Sequence, residues 1–434
     1  MPAREVNNCE IIGEIGAGGM AVIYKAVQNS LNRPVAIKEL KPEFGQDSQM
    51  VARFIREATA LAALQHENIV HIYDFVKQDE NFLMIMEFVE GIDLFDLLEE
   101  VPRLPINVAA TVALDLCSAL EYAHYRGIIH RDIKPSNVIL SRKGEVKLMD
   151  FGIARDENLG DLTRPGTSLG TPAYMSPEQI MGVKIDFRSD LFSFGILLYQ
   201  MLTGVKPFSE GAGKSIMHKI LNADFIRPRR LNPNIPRALE KIIFRCLAKE
   251  PTDRWPSTGE LKRELEKFLA RRVKLHRSGR VLVFLHHHGM IPREEAETFV
   301  AKDSLDDLGL KREDAGLPPP LRISTLAKVQ VSLGLSLLLW ALVVFVFVGL
   351  SKQDPAMIAG GPPGALKVVA WPWAEIHIDG AYVDTTPVDR FFSLSPGVHD
   401  VRLVNPYFQT EVRRVLVEAA RTDKLIVTMK RKAH

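Results

Sequence analysis

The chain has 434 residues, which is too long for one ordinary domain and predicts two or three folded units. Hydrophobic residues make up 46% and charged residues 25% of the chain, a globular mixture that argues against wholesale disorder. The formal net charge is only +2, so the charge balance gives no indication of a nucleic-acid partner. Three widely spaced cysteines, Cys9, Cys117 and Cys246, are typical of buried side chains in a reducing cytoplasm.

A glycine-rich turn between two alternating, β-branched runs opens the first predicted domain. In IGEIGAGGMAVIYKA, Gly16 and Gly18 would let the backbone approach a phosphate, although hairpin turns also use glycine for steric reasons alone. Further on, Lys38 lies in the apolar strand VAIK, where its burial requires an anionic partner. Glu57, in the helical pattern FIREATALAALQH, could be that partner or a solvated helix glutamate.

Two short polar motifs follow, HRDIKPSN at residues 130–137 and DFG at residues 150–152. Together with the preceding motifs and a late arginine, they stand in the order and spacing of the eukaryotic-like protein kinase family. Over residues 8–270 the chain resembles the bacterial serine/threonine members of that family. The resemblance implies an α+β fold with two lobes, a β-rich N-lobe and an α-rich C-lobe. It also implies ATP as the phosphate donor, with Mg²⁺ or Mn²⁺.

The resemblance implies catalytic roles for particular residues. Asp132 resembles the base that accepts the proton of the substrate hydroxyl, and Lys134 the residue that neutralises charge on the transferring phosphate. Asn137 and Asp150 resemble the two magnesium ligands, because oxygen donors suit that ion. The predicted catalytic residues are therefore Asp132, Lys134, Asn137, Lys38 and Glu57.

The same resemblance implies an adenine pocket. Met86 takes the gatekeeper position, and the backbone of Glu87 and Val89 is expected to hydrogen-bond adenine. Ala21 stands where the family has a third glycine in its phosphate loop. The predicted ATP-binding residues are Ile15, Gly16, Gly18, Ala21, Ile23, Ala36, Lys38, Met86, Glu87, Val89, Ile139 and Asp150.

Two segments indicate serine/threonine rather than tyrosine substrates: KPSN in the catalytic loop, and GTPAYMSPE further on. Thr171 resembles the threonine that contacts the catalytic aspartate and lysine and supports the hydroxyl-acceptor site. Glu178 is predicted to pair with Arg254 as a structural lock. Neither residue of this pair is expected to take part in the chemistry.

Arg131, beside the catalytic aspartate, is typical of kinases that are regulated by phosphorylation of the loop at residues 156–171. A phosphate adds about two negative charges and can order a loop against an arginine. We therefore predict autophosphorylation, with Thr163, Thr167 and Ser168 as candidate sites. The alternative is a solvated polar loop.

An apolar run, VQVSLGLSLLLWALVVFVFVGLS, follows a charged juxtamembrane segment at residues 271–328. No charge lies between Lys328 and Lys352, and a bilayer core of about 30 Å needs roughly 20 helical residues. We find no second run of this length and predict one membrane helix at residues 329–351. The Lys and Arg residues before it, and a kinase's need for cytosolic ATP, place the N-terminal part in the cytoplasm.

Strand-like alternation returns after a short linker at residues 352–364. AEIHIDGAYVDTTP and LSPGVHDVRLVNPYF resemble a PEGA domain at residues 365–430, a small β-rich module found outside the membrane in bacterial surface proteins. The chain departs from that pattern at Asp384-Thr385 and at Pro406-Tyr407. No catalytic cluster is visible there, which favours an interaction or sensing module with an unknown extracytoplasmic ligand.

The parts combine into one expected organisation. A single-pass protein of the bacterial inner membrane would carry a cytoplasmic kinase domain and an extracytoplasmic module. Its partners would be proteins with serine or threonine acceptors, and signalling through one helix is compatible with a homodimer. The alternative function is an ATP-binding membrane scaffold with little turnover.

Overall fold

A computed structural model describes residues 4–78, 81–152, 172–209, 215–270, 276–305, 363–371, 374–386, 391–405 and 408–430. The predicted membrane helix at residues 329–351 lies outside these ranges. So do Thr163, Thr167, Ser168 and Thr171.

A six-stranded antiparallel sheet and one helix form the first lobe. The helix, α1 (Ser48–Ala62), starts after Asp47, whose carboxylate accepts hydrogen bonds from the first-turn N–H groups of Gln49 and Met50. It buries Phe54, Ala58 and Leu61 on one face, and Glu57 lies among them. The strand order is β1-β2-β3-β4-β6-β5, with β1 (Glu5–Val6), β2 (Cys9–Ala17), β3 (Ala21–Gln28), β4 (Arg33–Leu40), β5 (Ile72–Gln78) and β6 (Asn81–Glu87).

The second lobe is helical and carries one small three-stranded sheet. Its two central helices, α3 (Ile106–Tyr125) and α5 (Arg188–Thr203), are apolar on nearly every side because most of their residues are buried in the core of the lobe. The three cysteines of the chain are all buried. The elements are β7 (Gly91–Asp93), α2 (Leu94–Glu100), α3 (Ile106–Tyr125), β8 (Val138–Ser141), β9 (Val146–Leu148), α4 (Pro177–Met181), α5 (Arg188–Thr203), α6 (Ile216–Leu221), α7 (Pro228–Leu231), α8 (Arg237–Cys246) and α9 (Thr258–Ala270).

Helix α3 is, among the described residues, the one helix whose length and composition would allow it to cross a membrane. Buried residues make up 78% of its most apolar stretch, so it is a core helix of the second lobe. Asp115 and Glu121 interrupt its sequence, whereas the predicted span at residues 329–351 carries no charge.

Three further helices continue the second lobe beyond α9: α10 (Arg277–His287), α11 (Arg293–Ala296) and α12 (Lys302–Leu305). Helix α10 packs against α3, and its residues 281–285 belong to the same hydrophobic core. A Cβ on Gly144, in the β8–β9 turn, would lie 2.0 Å from the carbonyl oxygen of Ser278, so this turn touches α10 closely. The domain boundary at residue 270 stays a prediction, whereas the packed core extends to Leu305.

The C-terminal part is all β, as the sequence predicts. A sheet of order β13-β10-β16, in which β10 and β16 are parallel, accompanies a sheet of order β12-β11-β14-β15. The predicted tight turn at Asp379-Gly380 has positive φ at both residues, 52° and 86°, which suits this residue pair. The strands are β10 (Gly364–Trp371), β11 (Glu375–Ile378), β12 (Ala381–Thr385), β13 (Phe392–Leu394), β14 (Gly397–Val404), β15 (Glu411–Val417) and β16 (Thr422–Thr428).

Candidate active site

Lys38, on β4, joins two carboxylates that come from different lobes. Its Nζ lies 2.7 Å from Glu57 Oε1 on α1 and 2.9 Å from Asp150 Oδ1, just after β9. Burial alone would lower the pKa of Lys38, but the charges of Asp150 and Glu57 raise it, so the ammonium group stays protonated. The side chain of Asp150 is 30% exposed. A buried cation and an accessible carboxylate are thus held side by side where the lobes meet.

The catalytic loop before β8 brings three predicted residues together. Lys134 Nζ lies 2.9 Å from Asp132 Oδ2. Asn137 Nδ2 donates hydrogen bonds to the carbonyl oxygen of Asp132 at 2.8 Å and to its Oδ2 at 3.2 Å. The carbonyl oxygen Oδ1, rather than the donor nitrogen Nδ2, is the atom of Asn137 that could ligate a metal ion.

Asp190, at the start of α5, holds this loop in an unusual conformation. Its carboxylate accepts the backbone N–H groups of His130 and Arg131, each at 2.7 Å, and Arg131 has a left-handed φ of 66°. His124 Nε2 lies 2.8 Å from the same carboxylate. Burial would raise the pKa of Asp190, but the hydrogen bond with His124 and the backbone donors keep it below its usual value. These bonds offset the cost of the strained backbone.

Asp190 is a site residue that none of the sequence motifs identifies. The sequence does contain one indication of its role. Asp190 begins the otherwise apolar run DLFSFGILL, and a carboxylate buried in such a run needs hydrogen-bond donors. Which donors it meets depends on a loop about 60 residues earlier in the chain, and no local pattern predicts that contact.

The DFG segment packs tightly against the catalytic loop. Phe151 is fully buried, and its ring lies 4.4 Å from that of His130. The N–H of Gly152 donates to the carbonyl oxygen of His130 at 2.7 Å. A Cβ on Gly152 would approach the Asp132 Cβ to 3.0 Å, so only glycine fits this close contact comfortably. The packing fixes Asp150 relative to Asp132.

The glycine-rich turn has glycines that the chain's own packing does not require. Among the described residues, a Cβ on Gly16 would meet no atom within 4 Å, and one on Gly18 would meet only the Ala21 carbonyl oxygen at 3.6 Å. Neither glycine has a positive φ. Open space above the turn therefore fits the close approach of a phosphate chain. The oxygen donors of Asn137 and Asp150 likewise fit Mg²⁺.

The predicted adenine contacts lie on both lobes. Ala36 and Met86 are buried and directly opposite each other on β4 and β6, while Ile139 lies on β8. The N–H of Glu87 donates to the His71 carbonyl oxygen at 2.8 Å, so its backbone could offer adenine only a carbonyl group. Ile23 and Val89, two further predicted adenine contacts, are partly buried and pack against the hydrophobic core that contains Ala36 and Met86.

Glu178 and Arg254 form a buried, bidentate ion pair. The two guanidinium nitrogens lie 2.7 and 2.8 Å from the two carboxylate oxygens, and the side chain of Arg254 is 0% exposed. Arg254 also donates to the carbonyl oxygens of Arg188, Ala248 and Lys249. The pair ties α4 to the start of α5 and to the segment before α9.

Comparison with known proteins agrees with this geometry. The family model "Protein kinase domain" matches residues 9–265, and the model "PEGA domain" matches residues 372–433. The chain belongs to the protein kinase family and carries a PEGA domain, which confirms the predicted family and fold.

Serine/threonine-protein kinases of several bacteria are similar to the same region. PrkC of Bacillus subtilis is 36% identical over 257 residues, which cover 59% of this chain and 40% of PrkC. PksC of Streptomyces coelicolor is 40% identical over 260 residues, which cover 58% of this chain and 47% of PksC. The chain thus spans less than half the length of either relative. The crystal structure of the Mycobacterium tuberculosis PknI kinase domain covers 62% of the chain at 24% identity, with a TM-score of 0.49.

Proposed function

We propose that the N-terminal domain transfers the γ-phosphate of ATP to serine and threonine hydroxyls of proteins. The observation that carries this proposal is the assembled site, in which the Lys38–Glu57 ion pair is formed and Asp150 lies within contact of it. Phosphoryl transfer depends mostly on positioning and charge stabilisation, so the groups must be in place together. The similarity to bacterial serine/threonine kinases and the KPSN motif support the acceptor class.

The residues divide the work as the resemblance implies. Asp132 accepts the proton of the acceptor hydroxyl, and Lys134, held beside it, neutralises charge on the phosphate in transit. Asn137 and Asp150 would hold Mg²⁺ or Mn²⁺, which when bound would supply positive charge to offset that of the phosphate oxygens of the nucleotide. Lys38 binds the phosphates that stay on the nucleotide.

A phosphate-transfer assay tests the proposal. The full chain, incubated with Mg²⁺ and radiolabelled ATP, is expected to incorporate label, and Asp132→Asn should lower the rate about 10²–10⁴-fold because it removes the general base. Asp303→Asn, at an exposed position of α12, is the matched control and should behave as the wild type. Mass spectrometry should find the phosphate on Thr163, Thr167 or Ser168. Equal background transfer by wild type and Asp132→Asn would instead favour an ATP-binding scaffold.

We further propose that residues 329–351 cross the membrane once, with the kinase domain in the cytoplasm and the PEGA domain outside. The uncharged run of sequence supports this arrangement. In this arrangement, the PEGA domain binds an extracytoplasmic ligand or a second copy of the chain. Association of two copies would then couple the PEGA domain to the kinase domain.

Cysteine labelling tests this topology. The three native cysteines are buried, so an introduced cysteine reports its own side of the membrane. Thr422→Cys in the PEGA domain should react with a membrane-impermeant maleimide in spheroplasts, and Lys184→Cys in the kinase domain only after lysis. Both positions are exposed. Labelling of Lys184→Cys in sealed spheroplasts would contradict the orientation.

A further inference from the structure

A cationic cavity lies on the second lobe, between the α7 segment and α8, apart from the residues of the candidate active site. Its volume is about 510 Å³. Four of the side chains around it are cationic and one is acidic, so the lining is strongly positive. The lining residues are Arg227, Arg229, Arg237, Glu240, Lys241 and Phe244.

The chain itself leaves part of this charge uncompensated. The Nε of Arg229 is buried and has no hydrogen-bond partner among the described residues. Neither Arg229 nor Arg237 has an ion pair in the part of the chain that the structure describes. A buried donor without a partner is unfavourable, and the cationic charge of Arg229 and Arg237 is left for a bound anion to offset.

Two further features suit an anionic ligand that is attached to a larger group. No side chain caps the described N terminus of α8, where Arg237 is the first residue, so its first N–H groups can also bind an anion. Phe244 is 36% exposed, and the guanidinium of Arg227 lies 5.5 Å from its ring centroid. The ring holds Arg227 at the cavity and offers an apolar surface to whatever carries the anion.

We propose that this cavity binds the phosphoryl group of a phosphorylated protein segment. An arginine guanidinium group can donate two parallel hydrogen bonds to two oxygens of one phosphate. A phosphate dianion would also offset most of the excess positive charge of the cavity. Guanidinium groups beside an exposed phenylalanine ring fit one phosphorylated side chain and its apolar neighbour. The choice of a protein segment rests on the proposed kinase function, because the active site would generate such segments.

The test measures binding of a fluorescent phosphothreonine peptide to the full chain in detergent, with the unphosphorylated peptide as reference. We expect the phosphorylated peptide to bind at least about tenfold more tightly, and inorganic phosphate to compete with it. The double variant Arg229→Gln/Arg237→Gln should lose about tenfold in affinity or more, and Arg229→Lys/Arg237→Lys should recover part of it. Arg126→Gln/Lys184→Gln, at exposed positions elsewhere on the lobe, is the matched control and should bind as the wild type.

The assay separates this site from catalysis. Asp132→Asn should bind the phosphopeptide as the wild type does, so the cavity is testable even if no phosphate transfer is found. Equal affinity for both peptides, or unchanged binding by the Arg229→Gln/Arg237→Gln variant, would overturn the proposal. Arginine-dependent binding of a short-chain phosphatidylglycerol without binding of the phosphopeptide would also overturn it, since the site would then serve the membrane.

Discussion

Replacing Arg254 by methionine is expected to lower the free energy of unfolding of the kinase domain by about 3–5 kcal/mol. Methionine keeps most of the volume but leaves Glu178 as a buried charge without its partner. It also removes the donor that serves the carbonyl oxygens of Arg188, Ala248 and Lys249. Chemical denaturation monitored by fluorescence measures the change.

The pH dependence of the stability loss in Arg254→Met shows whether the buried charge of Glu178 causes it. Burial by itself would raise the pKa of Glu178, but the hydrogen bonds and charge of Arg254, with the Ser189 hydroxyl, keep it below its ordinary value. A carboxyl group with a depressed pKa stabilises the fold above its unfolded pKa of about 4.3, and this contribution is lost as the pH falls. The difference in free energy of unfolding between wild type and Arg254→Met should therefore have its full value at pH 7. It should become smaller as the pH falls through the folded-state pKa of Glu178.

The control for this experiment is Arg126→Met, which removes an exposed arginine just after the end of α3 and should change the stability by less than about 0.5 kcal/mol. An Arg254→Met protein as stable as the wild type at pH 7 would show that the buried pair is not needed for the fold. A loss independent of pH would point to packing rather than to the charge of Glu178.

Ending the kinase domain at residue 270 instead of residue 305 is expected to destabilise it by about 5 kcal/mol or more. The removed helices include five consecutive buried apolar residues of α10, Val281 to Leu285, each at most 1% exposed. A buried valine, leucine or phenylalanine contributes roughly 1.5–3 kcal/mol, and the truncation also uncovers the face of α3 beneath. Thermal unfolding of the two fragments, with light scattering for aggregation, measures the difference.

Polar contacts also join α10 to α3. Arg280 Nη1 donates to Thr111 Oγ1 at 2.8 Å, and Arg277 Nη1 lies 3.3 Å from Asp115 Oδ1, both on α3. In the full chain, Phe284→Ala should cost about 3–5 kcal/mol, whereas Phe299→Ala, at a side chain that is 47% exposed, should cost much less. Equal melting temperatures for the two fragments would show that the lobe is complete at residue 270.

The active-site motifs are readable in the sequence because their residue types are chemically unusual where they stand. A lysine in VAIK and the polar HRDIKPSN loop between apolar segments both need a reason other than packing. Asp190 shows what such reasoning misses. Its partners are backbone N–H groups, which carry no sequence signature, so only the folded chain identifies this residue as the support of the catalytic loop.

The end of the second lobe marks a similar limit. Residues 276–305 are charged and have helical patterning, which fits both an exposed juxtamembrane segment and an amphipathic helix on a domain surface. Periodicity indicates that a helix has an apolar face, but not which surface covers that face.

The sequence alone determined the family, the α+β fold, the order of the catalytic motifs and the β-rich C-terminal module, because each depends on residue type and spacing along the chain. Only the tertiary structure decided that Lys38 holds Glu57 and Asp150 at once, that α10 completes the core, and that four cationic residues surround one cavity. The contacts of Lys38 with Asp150 and of α10 with α3 join residues more than 100 positions apart, and the cavity depends on how two successive helices pack; local residue patterns specify neither.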